Sequence, residues 1–389
     1  MVQYCLMNII NRVRSFPVGF WILLIIGIYS ASVSHVEDSP VYASYAHLAL
    51  AGHGGIPKEY PITALGLFIL PALFPIKYEI AFGLFASLAF GFLCYKIHSR
   101  RWLVRFLLYS GLSMFMIIFG RYDIFPVICL YFSIENARKE QWGKAWVYAT
   151  IGGMLKIFPF LLLPGYLLYE YSKTKKINWK RPFLVIVSFC TILGIQALLA
   201  PGTEFNFLHS QLNRGFELSS LGGSITFLTG YTKWIYGFKT WEIVGPHFSL
   251  IKICIELIGG IVLIGLFLQY KKLNVTSFSL SILTIFILMN HSFAPQYLLW
   301  IIPLWSYYAI NYFWIASAVL SCLIFPFSYS ILANTTSISL FHTWLFPTFI
   351  ALIRNIVFIA GSLLWFRKVL DIQNKNYSYE ESYEILSPI

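Results

Sequence analysis

Residues 78–101 read YEIAFGLFASLAFGFLCYKIHSRR, an apolar run that ends in a basic cluster. The run from 78 to 97 is long enough to cross the hydrocarbon core of a bilayer as a helix. Cytoplasmic loops of membrane proteins carry an excess of Lys and Arg. We therefore expect the basic cluster of Lys96, His98, Arg100 and Arg101 to lie in the cytoplasm. This stretch therefore predicts a span that runs inward, and it fixes the orientation of its neighbours.

The composition of the whole chain supports the same class of protein. Of 389 residues, 58% are hydrophobic and 11% are charged, and the mean hydropathy is +0.71. A soluble domain cannot cover that much apolar surface with so few charges. The formal net charge of +12 would suggest nucleic acid in a soluble protein. Here the basic residues lie in short clusters between apolar runs, so we expect membrane lipids and no nucleic acid as partners.

The basic clusters also set the predicted topology of the other helices. Arg12 and Arg14 precede the apolar run 16–33, which lacks a good signal-cleavage site and is expected to be the first span. Alternation from there gives about twelve spans in an all-α polytopic membrane protein, with both termini cytoplasmic. We expect a single transmembrane domain over residues 1–370 and a polar cytoplasmic tail over 371–389.

Two long segments are then predicted to lie outside the cytoplasm, residues 35–77 and 201–247. Within the first, residues 61–74 are too short for an upright span, and a span there would move the basic cluster at 96–101 to the outer side. We therefore predict two interfacial helices in this segment, over residues 40–51 and 61–74.

The six cysteines of the chain are widely spaced, and none forms a CxxC pair. We expect neither disulfides nor a zinc site from them.

Charged and polar residues on the predicted outer side are the candidates for chemistry. Charges near an apolar boundary are costly and usually face a polar cavity. The candidates with this placement are Glu37, Asp38, Glu59, Arg121, Asp123, Lys156, Arg214, Glu217, His291 and Arg354.

The two aspartates each allow two interpretations. Asp38 follows the first span and could act as a general base toward a sugar hydroxyl. It also precedes Pro40, and the local sequence alone favours a helix cap. Asp123 likewise could cap the helix that begins at Ile124, with Arg121 as its ion-pair partner, or it could serve function.

The cations are candidates for binding a phosphate. Lys156 lies in an apolar stretch and needs an anionic partner, and Pro159 suggests a helix break that makes simple snorkelling the weaker interpretation. Arg214 offers a planar fork suited to phosphate, although a solvated loop charge is the simpler interpretation. Arg354 lies in the last span, where it either pairs with an acid or faces a cavity.

A polar patch at residues 290–297 joins two apolar helices. His291 and Gln296 in this patch could bind phosphate or sugar, and a simple turn explains them equally well.

Five short motifs follow one another in a suggestive order. They are Asp38-Ser-Pro-Val-Tyr42 with Gly52 and Glu59-Tyr60-Pro61, Arg121-Tyr122-Asp123-Ile-Phe-Pro126, Lys156-Ile-Phe-Pro159, Arg214-Gly215-Phe-Glu-Leu-Ser-Ser-Leu221, and Ala294-Pro295-Gln296-Tyr297-Leu298. This order resembles the GT-C glycosyltransferases, and most closely glycosyltransferase family 87, the polyprenyl-phosphomannose-dependent mannosyltransferases. The chain departs from the usual family pattern at Ile62, Glu217 and Ser219, where the family has Pro, Gln and Glu.

The resemblance implies an inverting glycosyltransferase in which Asp38 is the catalytic base, which reverses the local preference for a cap. The donor would be a sugar, with mannose expected, on a polyprenyl phosphate. The acceptor would be a lipid or a glycan on the extracytoplasmic face of a plasma membrane, expected to be bacterial. The donor phosphate and sugar would contact Lys156, Arg214, His291, Gln296, Arg354 and Arg121. Acceptor or supporting roles fall to Glu37, Tyr42, Glu59, Tyr60, Asp123 and Glu217.

No cofactor is expected for such a transfer, and the lipid phosphate needs no general acid because it already leaves well. No metal cluster is evident in the sequence, although Asp123 with Glu37 or Asp38 could hold a divalent metal. The alternative function is a lipid-linked sugar flippase or transporter, which would also have aromatic-rich helices and buried cations. It would need no carboxylate beside an acceptor. A non-catalytic membrane scaffold is a further alternative, and it gives no reason for so many charges near the outer boundary.

Overall fold

The structure is a computed structural model that describes residues 16–33, 38–52, 56–97, 99–114, 117–212, 214–230, 233–237, 240–245, 247–328 and 340–374. In these residues the chain is mostly helical, with sixteen α-helices. They are α1 Val18–Val33, α2 Ser39–Leu50, α3 Ala64–Ala72, α4 Tyr78–Lys96, α5 Arg100–Met114, α6 Ile124–Arg138, α7 Trp142–Leu155, α8 Leu163–Thr174, α9 Lys180–Leu199, α10 Asn206–Leu212, α11 Leu221–Leu228, α12 Phe248–Leu268, α13 Val275–Met289, α14 Leu298–Trp305, α15 Tyr312–Cys322 and α16 Leu340–Asn374.

Four stretches are long and apolar enough to cross a membrane by their length and composition. They are α4, α9, α12 and residues Phe346–Asp371 of α16. Only 6% of the apolar window of α9 and 11% of that of α12 is buried inside the protein. So much exposed apolar surface is typical of helices that face lipid. The other helices at the predicted spans are shorter, so the full set of twelve spans stays a prediction.

The boundaries of the predicted segments are close to those observed. Helices α2 and α3 occupy the places predicted for the two helices of the first external segment. Pro40 lies in the first turn of α2, where its missing N–H costs no hydrogen bond. Helix α16 continues to Asn374, past the predicted end of the domain at 370.

The predicted external segment 201–247 contains a small sheet that the sequence analysis treated only as a loop. Strands β1 (Phe216–Glu217), β2 (Lys233–Gly237) and β3 (Thr240–Val244) pair antiparallel in the order β1-β3-β2. Across the first pair, Phe216 lies opposite Ile243 and Glu217 opposite Glu242. The fold class is therefore mostly helical with a three-stranded addition on one loop.

Helices α6 and α7 pack side by side and carry the central part of the site. A Cβ on Gly152 of α7 would lie 2.8 Å from the Cβ of Cys129 on α6, so glycine permits this close approach. Helix α7 ends at Leu155, and Lys156 is extended with φ −158° and ψ 132°. A 3-10 helix, Phe158–Leu162, with Pro159 in its first turn, then leads into α8. The predicted break after Lys156 is therefore present.

Helix α14 lies at the centre of the bundle, because all of its residues are buried. Trp305 at its end stacks on Trp314 of α15 with ring centroids 4.7 Å apart. Tyr297 directly precedes this helix, and Trp300 lies in its first turn. Both rings face the site described below.

Candidate functional site

Asp38 sits at the amino end of α2, but its side chain makes no capping hydrogen bond. Its Oδ2 atom instead forms an ion pair with Arg121, 83 positions along the chain. The hydroxyls of Tyr42 and Tyr60 also point to Oδ2, at 3.3 Å and 3.4 Å. All three contacts fall on one carboxylate oxygen, and the side chain of Asp38 is still 30% exposed. Among the described residues no donor reaches Oδ1, so this oxygen can accept a hydrogen bond from another group.

The two tyrosines that donate to Asp38 belong to an aromatic cluster under α2 and α3. Tyr42 stacks on Phe68 with ring centroids 4.3 Å apart, and its ring lies 5.7 Å from that of Tyr122. Burial raises the pKa of Tyr42 and of Tyr60 well above the usual range of a phenol, and the nearby carboxylate of Asp38 adds to the shift. Both phenols therefore stay protonated and remain donors to Asp38.

The consecutive residues Arg121, Tyr122 and Asp123 bind three different neighbours. Arg121 reaches Asp38, whereas Asp123 accepts a hydrogen bond from Lys156 Nζ at 2.7 Å. The prediction of an ion pair between Arg121 and Asp123 is therefore wrong. Asp123 holds the N-cap position of α6 without a capping hydrogen bond from its side chain, so the cap interpretation is also not supported.

Lys156 is held in a largely aromatic surrounding. Besides Asp123, its Nζ lies over the rings of Tyr122, Trp300 and Tyr297 at 5.0, 5.3 and 5.6 Å. Trp300 Nε1 donates to the same Asp123 oxygen at 2.7 Å. The cation is 19% exposed at its side chain, and its extended backbone after α7 directs it inward. Lys156 is therefore a positioned cation whose charge is paired with a buried carboxylate.

Tyr122 connects the two ion pairs. Its ring lies 5.3 Å from that of Tyr60, which donates to Asp38, and 5.0 Å from Lys156 Nζ. Its hydroxyl donates to the carbonyl oxygen of Leu155 at 3.4 Å. Asp38 and Lys156 thus both lie near one buried ring.

A second group of predicted residues meets where β1 touches the turn after α13. Glu217 N–H donates to the carbonyl oxygen of His291 at 2.7 Å, and Ser292 Oγ donates to the Glu217 carboxylate. His291 Nδ1 donates to the carbonyl oxygen of Arg214 at 3.0 Å. Burial, with nearby Lys252 as the next cause, lowers the pKa of His291. At neutral pH His291 is therefore uncharged.

Electrostatic contacts join this group to the first. The phenol of Tyr297 lies within electrostatic range of Arg214, Glu217 and Asp123. Since Tyr297 also faces Lys156, the structure brings Arg214 and Glu217 to the neighbourhood of that cation.

Arg354 is fully buried in α16. Its Nη1 donates to the carbonyl oxygen of Phe293 at 3.1 Å and to Ser321 Oγ at 3.2 Å, and its Nη2 donates to the carbonyl oxygen of Ser219. The next residue, Asn355, donates to the carbonyl oxygens of Ser219 and Ser220 at 3.3 and 3.1 Å. Arg354 thus faces the protein interior and holds the segment that carries Glu217. Its predicted contact with donor phosphate stays a prediction.

Three further predictions have different outcomes. Gln296 is half-buried, and its Oε1 has no hydrogen-bond partner among the described residues. Glu59 lies within electrostatic range of Tyr60. Glu37 falls outside the described residues. The expected absence of a cofactor or metal also stays a prediction.

An apolar cavity opens next to Lys156. Its empty volume is about 360 Å³ when the space that is open to solvent is included. Met154 and Ile157, which flank Lys156 in the chain, line it together with Pro61, Ile62, Gly153, Phe160, Phe189, Ile192, Leu193, Gln196 and Phe207. The exposed span α9 forms one wall, so the cavity lies between the site and a lipid-type surface.

Sequence reasoning missed Trp300, Asn355 and Glu242. Trp300 lies in an apolar run, and the only signal was that a buried indole N–H needs an acceptor. Glu242 lay in a segment treated as loop, and it is 7% exposed. For Asn355 the signal was its position next to Arg354 in the last predicted span, because polar residues in apolar spans mark interior faces.

No family model, curated protein or solved structure matches this chain.

Proposed function

We propose that this protein is an inverting glycosyltransferase that moves a sugar from a polyprenyl-phosphate donor to a lipid or glycan acceptor on the extracytoplasmic face of a membrane. The observation that carries the proposal is that Asp38 and Lys156 both lie near Tyr122. A base and a phosphate-binding cation that share a neighbouring side chain can address the two ends of one glycosyl transfer.

Asp38 is the general base of the proposed reaction. Arg121, Tyr42 and Tyr60 fix Oδ2, and the partly exposed carboxylate offers Oδ1 to the acceptor. Oδ1 takes the proton of the acceptor hydroxyl while that oxygen forms a bond to the anomeric carbon. The bond between the anomeric carbon and the phosphate oxygen breaks, and the electron pair leaves with the lipid phosphate.

Lys156 is the cation that stabilises the leaving phosphate, with Arg214 as the next candidate. A preorganised cation inside an apolar surrounding stabilises developing negative charge more strongly than water does. The ring faces of Tyr122, Trp300 and Tyr297 keep Nζ in place. Asp123 holds the cation when no phosphate is bound.

The apolar cavity supports a lipid-linked donor. Its walls from Pro61 to Phe207 are nearly all hydrocarbon, and they begin at the residues beside Lys156. A phosphate on Lys156 could therefore direct its isoprenoid chain into this cavity and toward α9. Burial of each CH₂ there would contribute about 0.8 kcal/mol to binding.

The direct test is turnover of defined substrates. Purified protein is incubated with polyprenyl-phosphomannose and related lipid phosphosugars, and release of the lipid phosphate is measured. We expect release by the wild-type protein and none by Asp38→Asn, with donor binding retained by the variant. Release by Asp38→Asn at the wild-type rate would exclude the base role of Asp38.

The same preparation distinguishes the flippase alternative. In vesicles, a flippase moves the intact lipid phosphosugar across the bilayer and releases no phosphate. Transport without release would overturn the transferase proposal. The companion variants Lys156→Ala and Arg214→Ala should weaken donor binding, and unchanged donor affinity in either would remove that residue from the phosphate site.

A further inference from the structure

Glu242 is a buried carboxylate that the proposed reaction does not use. It lies on β3 and is 7% exposed. Its register partner across the sheet is Glu217 on β1. Directly opposed residues of an antiparallel pair project from the same face, so the two carboxylates lie on one side of the sheet.

One oxygen of Glu242 is used by the fold. Oε2 accepts the backbone N–H of Gly215 at 3.1 Å. A Cβ at Gly215 would lie 2.5 Å from that oxygen, so the glycine leaves the room that the carboxylate occupies. The contact places Glu242 beside Arg214, whose charge acts on it together with that of Glu217.

The other oxygen is buried and has no donor. Glu242 Oε1 has no hydrogen-bond partner within the part of the chain that the structure describes. Leaving a buried acceptor unpaired is unfavourable, because it loses its hydrogen bonds to water. Burial also raises the pKa of Glu242, as expected for a carboxylate that lacks full solvation. A ligand that brings an O–H group to this oxygen would remove that cost.

Glu242 belongs to the surroundings of Lys156. Arg214 and Glu217, which act on Glu242, also act on Tyr297. The ring of Tyr297 lies 5.6 Å from Lys156 Nζ. Glu217, which lies opposite Glu242 in the sheet and accepts a hydrogen bond from Ser292 Oγ, therefore connects Glu242 with the segment that carries Tyr297. The group bonded to the phosphate in the donor is a sugar.

We propose that Glu242 is a specificity-determining residue whose Oε1 accepts a hydrogen bond from one hydroxyl of the donor sugar. This rests on the proposed function, since it takes the ligand to be a lipid phosphosugar. A site built to bind a hydroxyl rejects the analogue that lacks it, because the buried acceptor is then left unpaired.

The test compares donors that differ by one hydroxyl. We measure kcat/KM of wild-type protein with the parent donor and with a series of single-deoxy donor sugars. One deoxy donor should lose about 10- to 100-fold, the effect of a hydrogen bond to a charged group. Equal use of all deoxy donors by the wild-type protein would overturn the proposal without any variant.

The informative variant is Glu242→Gln. Its one side-chain oxygen can keep the Gly215 contact, which leaves an amide nitrogen in the place of Oε1. We expect it to lose activity on the parent donor and to lose the discrimination against that same deoxy donor. An equal loss on every donor would show a purely structural role and would overturn the proposal.

Glu204→Gln is the matched control. Glu204 also accepts a glycine N–H, that of Gly202 at 2.9 Å, in the same external segment. Its substitution should leave the discrimination unchanged. Wild-type protein that releases no phosphate from any donor would overturn the transferase proposal itself, whereas uniform losses in Glu242→Gln would overturn only the role of Glu242.

Discussion

Two ion pairs lie near Tyr122, Arg121 with Asp38 and Lys156 with Asp123, and they differ in how far their carboxylates are exposed to solvent. In the first, the side chains of Asp38 and Arg121 are 30% and 10% exposed, and the side-chain contacts of Asp38 with described residues all fall on Oδ2. In the second, Asp123 is 2% exposed, and its Oδ1 accepts both Lys156 and Trp300 at 2.7 Å. A pair of an aspartate and a cation can thus leave one carboxylate oxygen available for a substrate, as at Asp38. It can also bury the whole carboxylate so that it holds the cation in place, as at Asp123.

The difference in exposure between the two pairs should affect the free energy of unfolding. An ion pair whose carboxylate is partly exposed, as in Asp38, contributes less to stability than a sealed pair, because water and salt screen it. A buried pair is different, because removing one partner leaves an uncompensated charge in a poorly solvated place. The comparison predicts that changes at Asp38 act on turnover and that changes at Asp123 act on stability.

The largest effect is expected for Asp38→Asn on catalysis. Loss of a general base should reduce kcat by about 10²- to 10⁴-fold. The unfolding temperature in detergent should stay close to that of the wild type, since the pair is partly exposed. A similar drop in unfolding temperature and in kcat would instead place Asp38 with the structural pair and break the comparison.

Asp123→Ala should be the most destabilising single change in the site. It leaves Lys156 without its carboxylate and should cost about 3–5 kcal/mol of unfolding free energy. Asp38→Ala is the matched change in the open pair, and it should cost less, because the carboxylate that it removes is 30% exposed, against 2% for Asp123. Chemical denaturation of both variants in detergent measures the difference, and equal losses would contradict it.

Removal of the Lys156 charge should weaken donor binding by about 10- to 100-fold, the effect of one charged hydrogen bond. The double variant Asp123→Asn/Lys156→Met avoids a buried unpaired carboxylate, and Asp123→Asn alone is its control. Equilibrium binding of polyprenyl phosphate to both variants gives the affinity ratio. A ratio near one would mean that the cation stabilises the fold and does not bind phosphate.

The smallest effect is expected where a single hydroxyl orients the base. Tyr42→Phe and Tyr60→Phe each remove one hydrogen bond to Asp38 and should lower kcat about two- to tenfold. Tyr45→Phe is the control on the same helix, because its hydroxyl accepts from the Lys58 backbone and not from Asp38. If all three changes have the same effect on kcat, the tyrosines do not act through Asp38.

The sequence by itself determined the parts of this protein that depend on neighbours along the chain. Apolar length and composition predicted the helical class and the spans α4, α9 and α12, because a helix of about twenty apolar residues matches the bilayer whatever surrounds it. Pro159 similarly predicted the break at Lys156, since proline cannot continue the hydrogen bonding of the helix.

Only the tertiary structure decided which charges meet. Arg121 pairs with Asp38 across 83 positions rather than with Asp123 two positions away, and Arg354 reaches Ser219 across 135. The sheet that buries Glu242 also forms between strands that the pattern of the loop did not reveal. Such partners depend on how distant segments pack, because an ion pair or a ladder is favourable only where burial and geometry bring its members together.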